Sequence, residues 1–409
     1  MIVFYYDTQI MINTATKRIN STEKTADTRY PGQKTFSTNS SHKNLYIKES
    51  SSEDIYNRWL QYVERHKDST IYNHPLWIKA LEYEYEKNAI VLYCENNNSE
   101  IMGVLPLMPT LGVPFKKKDP VTAKRFSSLP RTPYGGFLFD NYYVRDLLIR
   151  RGIKKIQKNP NTLLQLKSCE ANLGENITGL KRIPWRSSYY IELTERPDLL
   201  RFGSRKQHYN RRRDVANARK SGLYVRQGYS AEDLQNWYKL YAETMRWHAV
   251  PVRPFRFFRF LQENLEPKNM FSLLLAESYE GTKTVIHSGS IFLRFNKTIF
   301  YAFNGRKESA FTTNANDLIQ WEIIHHSCKE GYKYYNMGEV SDNNGGLAKF
   351  KSKWGCSAKT IYHYYNDNAD TINYADIDTV KNYSTYKRYW RMLPIGITNA
   401  LGIIVNRFL

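Results

Sequence analysis

One block of the 409-residue chain, residues 271–337, constrains the fold more than any other. Apolar runs of strand length lie on either side of short polar turns, and an apolar run of helical length follows a polar loop. Strands that alternate with helices around a meander favour a mixed, mostly antiparallel sheet. The block predicts strands at 271–277, 284–295, 297–304 and 332–337, with a turn at Asn296 and a helix at 317–329.

The rest of the chain adds helices and strands on both sides of this block. A segment rich in Pro and Gly at 109–136 predicts a long surface loop, of a kind that often carries function. Residues 1–45 are rich in Thr, Ser, Asn and Lys without a sustained period, which predicts a flexible arm. We predict helices at 52–67, 74–86, 143–158, 198–222, 230–247 and 254–264, and strands at 89–94, 101–107, 163–166, 187–193, 223–227 and 360–366.

The last segment, residues 367–409, is predicted to be an amphipathic tail. Its stretch 392–405 carries no charge, and Lys387, Arg388 and Arg391 precede it. Such a stretch is too short to span a bilayer but suits a helix lying in the membrane interface. A terminal helix packed on the protein core fits the same pattern, so both interpretations stay open. The apolar residues that share one helical face are Leu393, Ile397, Ala400, Leu401 and Ile404.

The charge balance favours an anionic partner. Sixty Lys and Arg residues against 39 Asp and Glu residues give a net charge of +21, which suits a phosphorylated small molecule, a nucleic acid or an anionic membrane surface. The composition bias of a low-GC genome produces the same excess. Two function classes are open: an enzyme acting on a phosphorylated acceptor, and a non-enzymatic nucleic-acid-binding protein. The second has no recognisable binding motif, and its basic residues are spread along the chain.

Cysteine spacing and hydropathy bear on the compartment. The four cysteines form no CxxC pair, which argues against a zinc knuckle, and no metal site is predicted. The N-terminal residues do not have the pattern of a secretion signal, and no run of 18 apolar residues occurs. We therefore expect a cytoplasmic protein, with peripheral association at the inner face of the membrane through its tail.

Several stretches together resemble the FemAB-like branch of the GNAT acyltransferase superfamily. The resemblance covers roughly residues 50–365, and the order and spacing of the stretches make it fairly specific. They are NHPLWIKAL (73–81), GVLPL (103–107), the Tyr134-Gly135-Gly136 turn, ARKSGL (218–223), LLLAE (273–277), NDLIQWEIIHHSCKEGYKYYNMG (316–338) and GLAKFKSKWG (346–355).

The resemblance implies an α/β (α+β) fold with two GNAT-like, mixed, mostly antiparallel sheets flanked by helices. It implies an N-terminal unit at 46–185 and a C-terminal acyltransferase unit at 186–366. The best-known members of the family transfer amino acids from charged tRNA onto peptidoglycan precursors. Many bacterial relatives are assigned as N-acyltransferases in cell-envelope or exopolysaccharide pathways. The implied acceptor is a phosphorylated or lipid-linked amino sugar or peptide.

The resemblance also nominates catalytic residues. Lys351 stands at the family's Phe-Lys position, which implies a role in stabilising the transition state, and Phe350 lies beside it. A solvated basic run after a Gly-Gly turn is the alternative for this lysine. Acyl transfer to an amine also needs a proton acceptor, and Glu339 and Asp342 follow the end of a predicted strand in the same region. These two carboxylates fit equally well as loop residues that balance the nearby lysines.

Arginines and aromatic residues are candidates for binding the acceptor. Arg211 and Arg212 lie on a predicted basic helix, and an arginine can grip a phosphate through two N–H groups. A solvated basic face is the alternative. Tyr134 belongs to the family-like turn, and Trp185 could stack on a sugar or a base, although aromatic residues of this kind are more often core.

The acyl donor is a co-substrate, and no permanently bound cofactor is predicted. Acetyl-CoA enzymes of this superfamily carry a Gly-rich pyrophosphate turn, but the corresponding segment here, GRKESAFTTNAN (305–316), has a single Gly. A donor held there would rely on Arg306, Lys307 and Asn314 with the start of the following helix. Acyl-CoA and aminoacyl-tRNA both remain possible donors, and tRNA would then be a partner.

Overall fold

The structure is a computed structural model that describes residues 45–111, 124–157, 162–173, 177, 179–308, 310–340, 345–366 and 387–406. Almost all of the predicted arm 1–45 lies outside the described residues. The same holds for Asp342 and for most of the predicted tail before residue 387.

Thirteen strands in the described ranges form one mixed sheet. They are β1 (Tyr46–Ser51), β2 (Ile90–Glu95), β3 (Ile101–Thr110), β4 (Arg125–Ser127), β5 (Leu138–Phe139), β6 (Leu163–Ser168), β7 (Leu180–Glu192), β8 (Tyr224–Gly228), β9 (Phe271–Glu280), β10 (Lys283–Phe295), β11 (Thr298–Arg306), β12 (Tyr334–Val340) and β13 (Ser357–Asn366).

The sheet is mostly antiparallel, as predicted, but the two predicted sheets are joined into one. Its order is β1-β2-β3-β4-β6-β13-β7-β12-β11-β10-β9-β8, and β5 pairs with β3. Two pairs are parallel, β4 with β6 and β11 with β12. The halves join because β13, the last strand in sequence, pairs with β6 on one side and with β7 on the other. The predicted unit boundary between residues 185 and 186 falls inside β7.

Ten helices in the described ranges flank the sheet, and residues 387–392 are also helical. They are α1 (Tyr56–Arg65), α2 (Pro75–Tyr85), α3 (Tyr142–Gln157), α4 (Arg205–Lys220), α5 (Ala231–His248), α6 (Phe255–Leu265), α7 (Ala310–Thr313), α8 (Ala315–Lys329), α9 (Gly345–Ser352) and α10 (Ile395–Asn406).

The block that constrained the fold has the predicted order. β9, β10 and β11 form an antiparallel meander, Asn296 makes the β10–β11 turn with φ of 49°, and α8 leads into β12. The polar loop at 305–316 was predicted without helix, but it contains α7 and the first turn of α8.

The predicted helix 198–222 begins later than the sequence indicated. Gly203 has φ of 63°. The Ser204 hydroxyl caps α4 by accepting a hydrogen bond from the Gln207 backbone N–H, and the Gln207 side-chain oxygen accepts one from the Ser204 backbone N–H. This capping box fixes the helix start at residue 205. Of residues 197–204, only the short 3-10 turn at 197–199 is helical.

Helix α3 covers one face of the N-terminal half of the sheet, and polar residues of β6 lie on the opposite face. Leu164 and Leu166 of β6 pack with Leu148 and Ile149 of α3 in one apolar cluster. Successive strand residues point to opposite faces, so Gln165 and Lys167 face away from α3.

Helix α10 packs on the protein with its polar side inward. Thr398, Gly402 and Asn406 are buried, whereas Ile397 is 47% and Ile404 55% exposed. A Cβ on Gly402 would lie 2.9 Å from the backbone nitrogen of Val252, so this helix can approach that closely only with glycine. Small and polar residues therefore make the closest contacts of this helix with the core. The predicted apolar face is divided, because Leu393 and Leu401 pack against Ala249 and Trp390 whereas Ile397 and Ile404 are exposed. None of the described helices is long and apolar enough to cross a bilayer.

Candidate active site

The two parallel strands at the centre of the C-terminal half separate. β11 and β12 pair only between Thr298–Phe300 and Tyr334–Asn336, and each strand continues beyond that pairing. Gly338 lies where β12 has left β11 and has φ of 79°. A Cβ on Gly338 would lie 3.5 Å from the Tyr301 carbonyl oxygen and 3.8 Å from Lys351 Nζ. Backbone groups and the Lys351 side chain therefore line a gap between the two strands.

The Lys351 side chain is buried at this gap. Lys351 is 2% exposed, and its Nζ donates to the carbonyl oxygens of Gly338 at 3.0 Å and Glu339 at 3.1 Å. Burial lowers the pKa of Lys351 to about 7. The alternative of a solvated basic run is therefore wrong for Lys351, although it describes its neighbours Lys349 and Lys353, which are exposed. Phe350 is half-buried against the apolar cluster beside α8.

The Glu339 carboxylate lies on the other face of the sheet. Its Oε1 accepts from Arg186 at 2.8 Å, and its Oε2 is buried without a hydrogen-bond partner. Glu339 stands opposite Ser188 on β7, whereas Lys351 Nζ lies 5.7 Å from the ring centre of the next residue, Tyr189. Because adjacent strand residues point to opposite faces, the carboxylate and the amine approach the gap from opposite sides.

The family-like turn contributes Tyr134 to the Glu339 side. Asn336 donates from Nδ2 to the Tyr134 hydroxyl at 2.9 Å and to Ser188 Oγ at 3.3 Å. Gly136 has φ of 78°, and a Cβ there would lie 2.8 Å from the Ser128 carbonyl oxygen, so the turn requires glycine. The segment 129–136 thus closes over the face of the sheet that holds Glu339.

Trp185 stacks within the same region. Its ring lies 4.0 Å from the ring of His363, centre to centre, with 24° between the planes, and the Arg186 guanidinium lies 5.2 Å from its centre. Trp185 is half-buried. The same Arg186 guanidinium pairs with Glu339, so the structure brings Trp185, Tyr134 and Glu339 to one side of the gap.

Arg211 does not have the position that the sequence suggested. It is buried between α4 and α8, where it binds Asp214 at 2.6 Å and also pairs with Asp317. Its guanidinium lies 5.7 Å from the ring centre of Trp354. These contacts commit Arg211 to packing rather than to a crevice wall. Arg212 is exposed on the outer face of α4.

The proposed donor residues lie around the start of α8. Arg306 is half-buried at the end of β11, and burial lowers its pKa. Lys307 is also half-buried, and Asn314 has φ of 57° directly before α8 without capping it through its side chain. The first turn of α8 already holds Asp317, whose pKa is raised by burial. No group of His, Cys, Asp and Glu in the described ranges is arranged to hold a metal ion.

Sequence reasoning missed four basic residues on the Glu339 face: Arg125, Lys167, Arg186 and His363. Three of them, Arg125, Lys167 and His363, are at most 9% exposed. Their strands are β4, β6, β7 and β13, which come together only in the folded chain. A charged residue inside the apolar run LLQLKS of β6 is the one local signal, because a buried strand seldom holds a lysine.

Comparison with known proteins identifies a similar domain and similar folds. Residues 203–352 match the family model of an acetyltransferase (GNAT) domain. The crystal structure of FemX is similar over 79% of this chain and 98% of FemX, with 15% identity and a TM-score of 0.60. The C-terminal domain of an Agrobacterium fabrum protein assigned as a lysylphosphatidylglycerol synthetase is similar over 81% of this chain and 97% of that domain, with 11% identity and a TM-score of 0.54. No curated protein matches the chain significantly.

The family match defines residues 203–352 as an acetyltransferase (GNAT) domain, and the protein is an acyltransferase. The fold of the chain is similar to that of FemX, in line with the resemblance that the sequence motifs indicate. The alternative of a non-enzymatic nucleic-acid-binding protein is therefore wrong. An activated acyl group is the co-substrate of such an enzyme.

Proposed function

We propose that this enzyme transfers an activated acyl group onto the amine of a phosphate-linked sugar or lipid-linked precursor of the cell envelope. The observation that carries the proposal is the buried Lys351 amine at the gap between β11 and β12. The overall likeness to FemX and to a domain named for lysylphosphatidylglycerol synthesis supports an acceptor of this class. The division into units at 46–185 and 186–366 belongs to the same proposal, with β7 shared between them.

Lys351 acts on the acyl carbonyl in this mechanism. The acceptor amine attacks the carbonyl carbon, a C–N bond forms, and the bond to the donor's leaving group breaks. Lys351 in its protonated form donates to the developing oxyanion, an interaction that is stronger in the transition state than in the ground state. The Lys351 hydrogen bonds to two backbone carbonyls hold Nζ in place before the reaction.

Glu339 receives the proton that the attacking amine loses. Its Oε2 is free of hydrogen bonds, and Arg186 fixes the carboxylate through Oε1. A carboxylate in this position can accept a proton from an amine held on the same side of the gap. Asp342, outside the described residues, is the other carboxylate proposed for this step. The leaving group departs with a proton from solvent or as the anion.

The donor is proposed to lie on the α8 side, where Arg306, Lys307 and Asn314 surround the start of the helix. Acyl-CoA and aminoacyl-tRNA are both compatible with this proposal. The GNAT family match supports acyl-CoA, whereas the single Gly in 305–316 leaves charged tRNA as the second candidate.

The test combines each donor with a panel of amine acceptors. Purified protein is incubated with acetyl-CoA or with aminoacyl-tRNA, together with an amino sugar carried on a nucleoside diphosphate or a polyprenyl diphosphate. Acylated acceptor is measured by mass spectrometry, with Lys351→Met as the inactive variant and Lys349→Met, an exposed lysine of the same helix, as control. Equal activity in the Lys351 and Lys349 variants would overturn the mechanism.

We also propose that α10 attaches the enzyme to an anionic membrane surface. Exposed apolar residues, Met392, Ile397 and Ile404, follow the basic residues Lys387, Arg388 and Arg391. The Arg391 guanidinium lies 4.1 Å from the ring centre of Trp247, which is 51% exposed. Apolar side chains flanked by cations and an aromatic ring suit the interface of a bilayer with anionic headgroups. A lipid-linked acceptor would reach the enzyme at the same surface.

A further inference from the structure

The last turn of α10 reaches a buried group of charged side chains. Glu84 of α2 and Arg253 form an ion pair there, and their side chains are 0% and 3% exposed. The Asn406 side chain, which is also buried, donates through Nδ2 to Glu84 Oε1 at 2.7 Å and accepts through Oδ1 from Arg131. The end of the helix is therefore bonded to a carboxylate and to a guanidinium at the same time.

The carboxamide of Asn406 matches both of these partners. It offers an N–H group to the carboxylate and an oxygen atom to the guanidinium, which neither a carboxylate nor an alkyl group can do. Leucine has a similar volume but would leave the Glu84 and Arg131 groups without this partner, and a buried polar group that loses a partner costs free energy. A single substitution can therefore break the contact while it keeps the bulk of the side chain.

Arg131 connects α10 to the segment 129–136. Arg131 has φ of 48° and Leu129 has φ of 113°, and residues other than glycine keep such strained backbone only where surrounding contacts hold it. Two buried basic residues hold it here. Arg253 donates to the Arg131 carbonyl oxygen at 2.5 Å. Lys167 Nζ donates to the Leu129 carbonyl oxygen at 2.9 Å. Helix α10 adds a third contact, through the Arg131 side chain.

The segment also carries Tyr134 to the gap between β11 and β12. Its hydroxyl accepts from Asn336 Nδ2 at 2.9 Å, and Asn336 is the last residue of β12 that pairs with β11. Tyr134 follows Arg131 by only three residues, so a displacement of Arg131 is passed on to the Tyr134 side chain. Misplacement of a positioning group by about 1 Å can lower turnover about a hundredfold. The contact at the end of α10 therefore bears on the geometry of the active site.

The backbone of α10 also packs directly against the neighbouring segment. A Cβ on Gly402 would lie 2.9 Å from the Val252 nitrogen and 3.4 Å from the Pro251 Cα. The Pro251 carbonyl oxygen in turn accepts from Arg131 at 2.9 Å. By contrast, a Cβ on Gly396 of the same helix would meet nothing within 4 Å. Alanine at one or the other glycine therefore disturbs or preserves the docking of α10 without any change to a polar side chain.

We propose that α10 positions the acceptor side of the active site, and that Asn406 is the positioning residue. This inference rests on the proposed function, because the segment 129–136 lies over the face where Glu339 would receive the proton of the acceptor amine. Asn406 acts through Arg131 and Tyr134, not by contact with the substrate. Helix α10 thus has a role within the fold besides the membrane contact proposed for its outer side.

Amide hydrogen exchange of the full chain, without substrate, measures how firmly the segment is held. In Asn406→Leu we expect exchange in 129–136 to become about tenfold faster or more, because hydrogen bonds to charged groups are lost. Exchange in β6 should not change. The control is Thr398→Val, which removes a buried hydroxyl of the same helix whose hydrogen bond stays within α10. This control should leave exchange in both segments unchanged.

A second pair of variants tests the docking by packing alone, and it keeps the inference testable if Asn406→Leu does not fold. Gly402→Ala brings a Cβ against the Val252 backbone and should also make exchange in 129–136 faster. Gly396→Ala should not, although it adds the same methyl group to the same helix. Equal exchange in the two glycine variants would overturn the inference, as would exchange that rises evenly over the whole chain in Gly402→Ala.

Kinetics separate a positioning role from a structural one. The segment 129–136 lies on the acceptor side, so Asn406→Leu should raise the Michaelis constant of the acceptor by about tenfold while that of the acyl donor stays nearly constant. Asn406→Gln keeps an N–H donor and an oxygen acceptor and should recover part of the loss. Parental kinetics in Asn406→Leu, or equal changes in both constants, would overturn the inference. Faster exchange confined to 129–136, in a protein that transfers no acyl group to any acceptor, would instead count against the proposed function alone.

Discussion

The side-chain nitrogen of Lys351 lies 3.0 Å from the carbonyl oxygen of Gly338, two residues past the last pair between β11 and β12. This contact places the amine where the two strands have separated, with its charge removed from solvent. A lysine in such a position can meet a reacting carbonyl in the gap without competing water.

Lys351→Met should lower turnover by about a hundredfold or more, as the loss of an oxyanion donor does. The Michaelis constant for the acceptor should change little, because the interaction is made in the transition state. Steady-state kinetics of Lys351→Met and of the exposed control Lys349→Met measure this difference. A Lys351 variant with normal turnover, or one that loses only acceptor affinity, would contradict the oxyanion role.

Gly338→Ala should reduce turnover more than it reduces stability. Gly338 and Gly331 both have positive φ, 79° and 75°, so alanine strains the backbone at either position, by about 1–2 kcal/mol. An added Cβ meets nothing within 4 Å at Gly331, whereas at Gly338 it projects towards Tyr301 and Lys351. Gly331→Ala is therefore the matched control. Equal loss of activity in both variants would show that strain alone is responsible.

Arg211→Ala should destabilise the fold rather than weaken substrate binding. It leaves the carboxylates of Asp214 and Asp317 without their guanidinium, and breaking a buried pair costs about 3–5 kcal/mol. Arg212→Ala, at an exposed position, should leave the free energy of unfolding nearly unchanged. Urea unfolding of both variants checks this. An unchanged stability with a raised Michaelis constant for Arg211→Ala would restore the phosphate-binding role.

The buried lysines should make the protein more stable as the pH rises above 7. Burial lowers the pKa of Lys351 and of Lys167 from 10.5 to about 7 in the folded chain. Between pH 7 and 10 the unfolded chain therefore binds protons that the folded chain does not, and stability increases with pH. Each of Lys351→Met and Lys167→Met should remove up to about 1.4 kcal/mol per pH unit from that increase. Unfolding free energies measured at several pH values would refute this if the slopes of variant and parent coincide.

Local patterns were sufficient for the order of the elements in 271–337, but they missed β1, β5 and α9, and they missed β4 inside the segment 109–136 that was predicted as a loop. They were also insufficient for the residues that the fold brings together. The strand order of 271–337 follows from periodicity, and the Phe-Lys motif identified Lys351. Its burial depends on how α9 packs against β12, which no local pattern contains. The neighbouring positions of Lys167 and His363 depend on the pairing of β6 with β13, two strands that are far apart in sequence.

Charge patterns were misleading where the fold supplies its own counterions. Arg211 lies in a basic run that predicts a phosphate ligand. However, it forms an ion pair with Asp317 of α8, a helix that starts about a hundred residues later in the sequence. The pattern of the tail was also insufficient. Its apolar face is predicted to pack on the core or to meet a membrane, yet the close approach to Val252 is made by Gly402, on the opposite side of the helix. Helix α10 consequently exposes Ile397 and Ile404, whereas Ile395 and Ile403 pack against the core.

Removing the outward isoleucines of α10 should weaken binding to anionic vesicles. Ile397→Ser with Ile404→Ser removes two apolar side chains, each worth up to about 1.5–3 kcal/mol when fully buried in an apolar phase. Because both are about half exposed and insertion is partial, we expect a loss of about tenfold or more in the vesicle partition coefficient. Leu199→Ser, at a residue 55% exposed, is the control for loss of an exposed apolar side chain elsewhere.

Sedimentation with phosphatidylglycerol and with phosphatidylcholine vesicles tests the charge dependence, because nearby basic residues contribute about 1 kcal/mol each on anionic lipid alone. Equal sedimentation of the double variant and the parent protein would rule out α10 as the membrane contact.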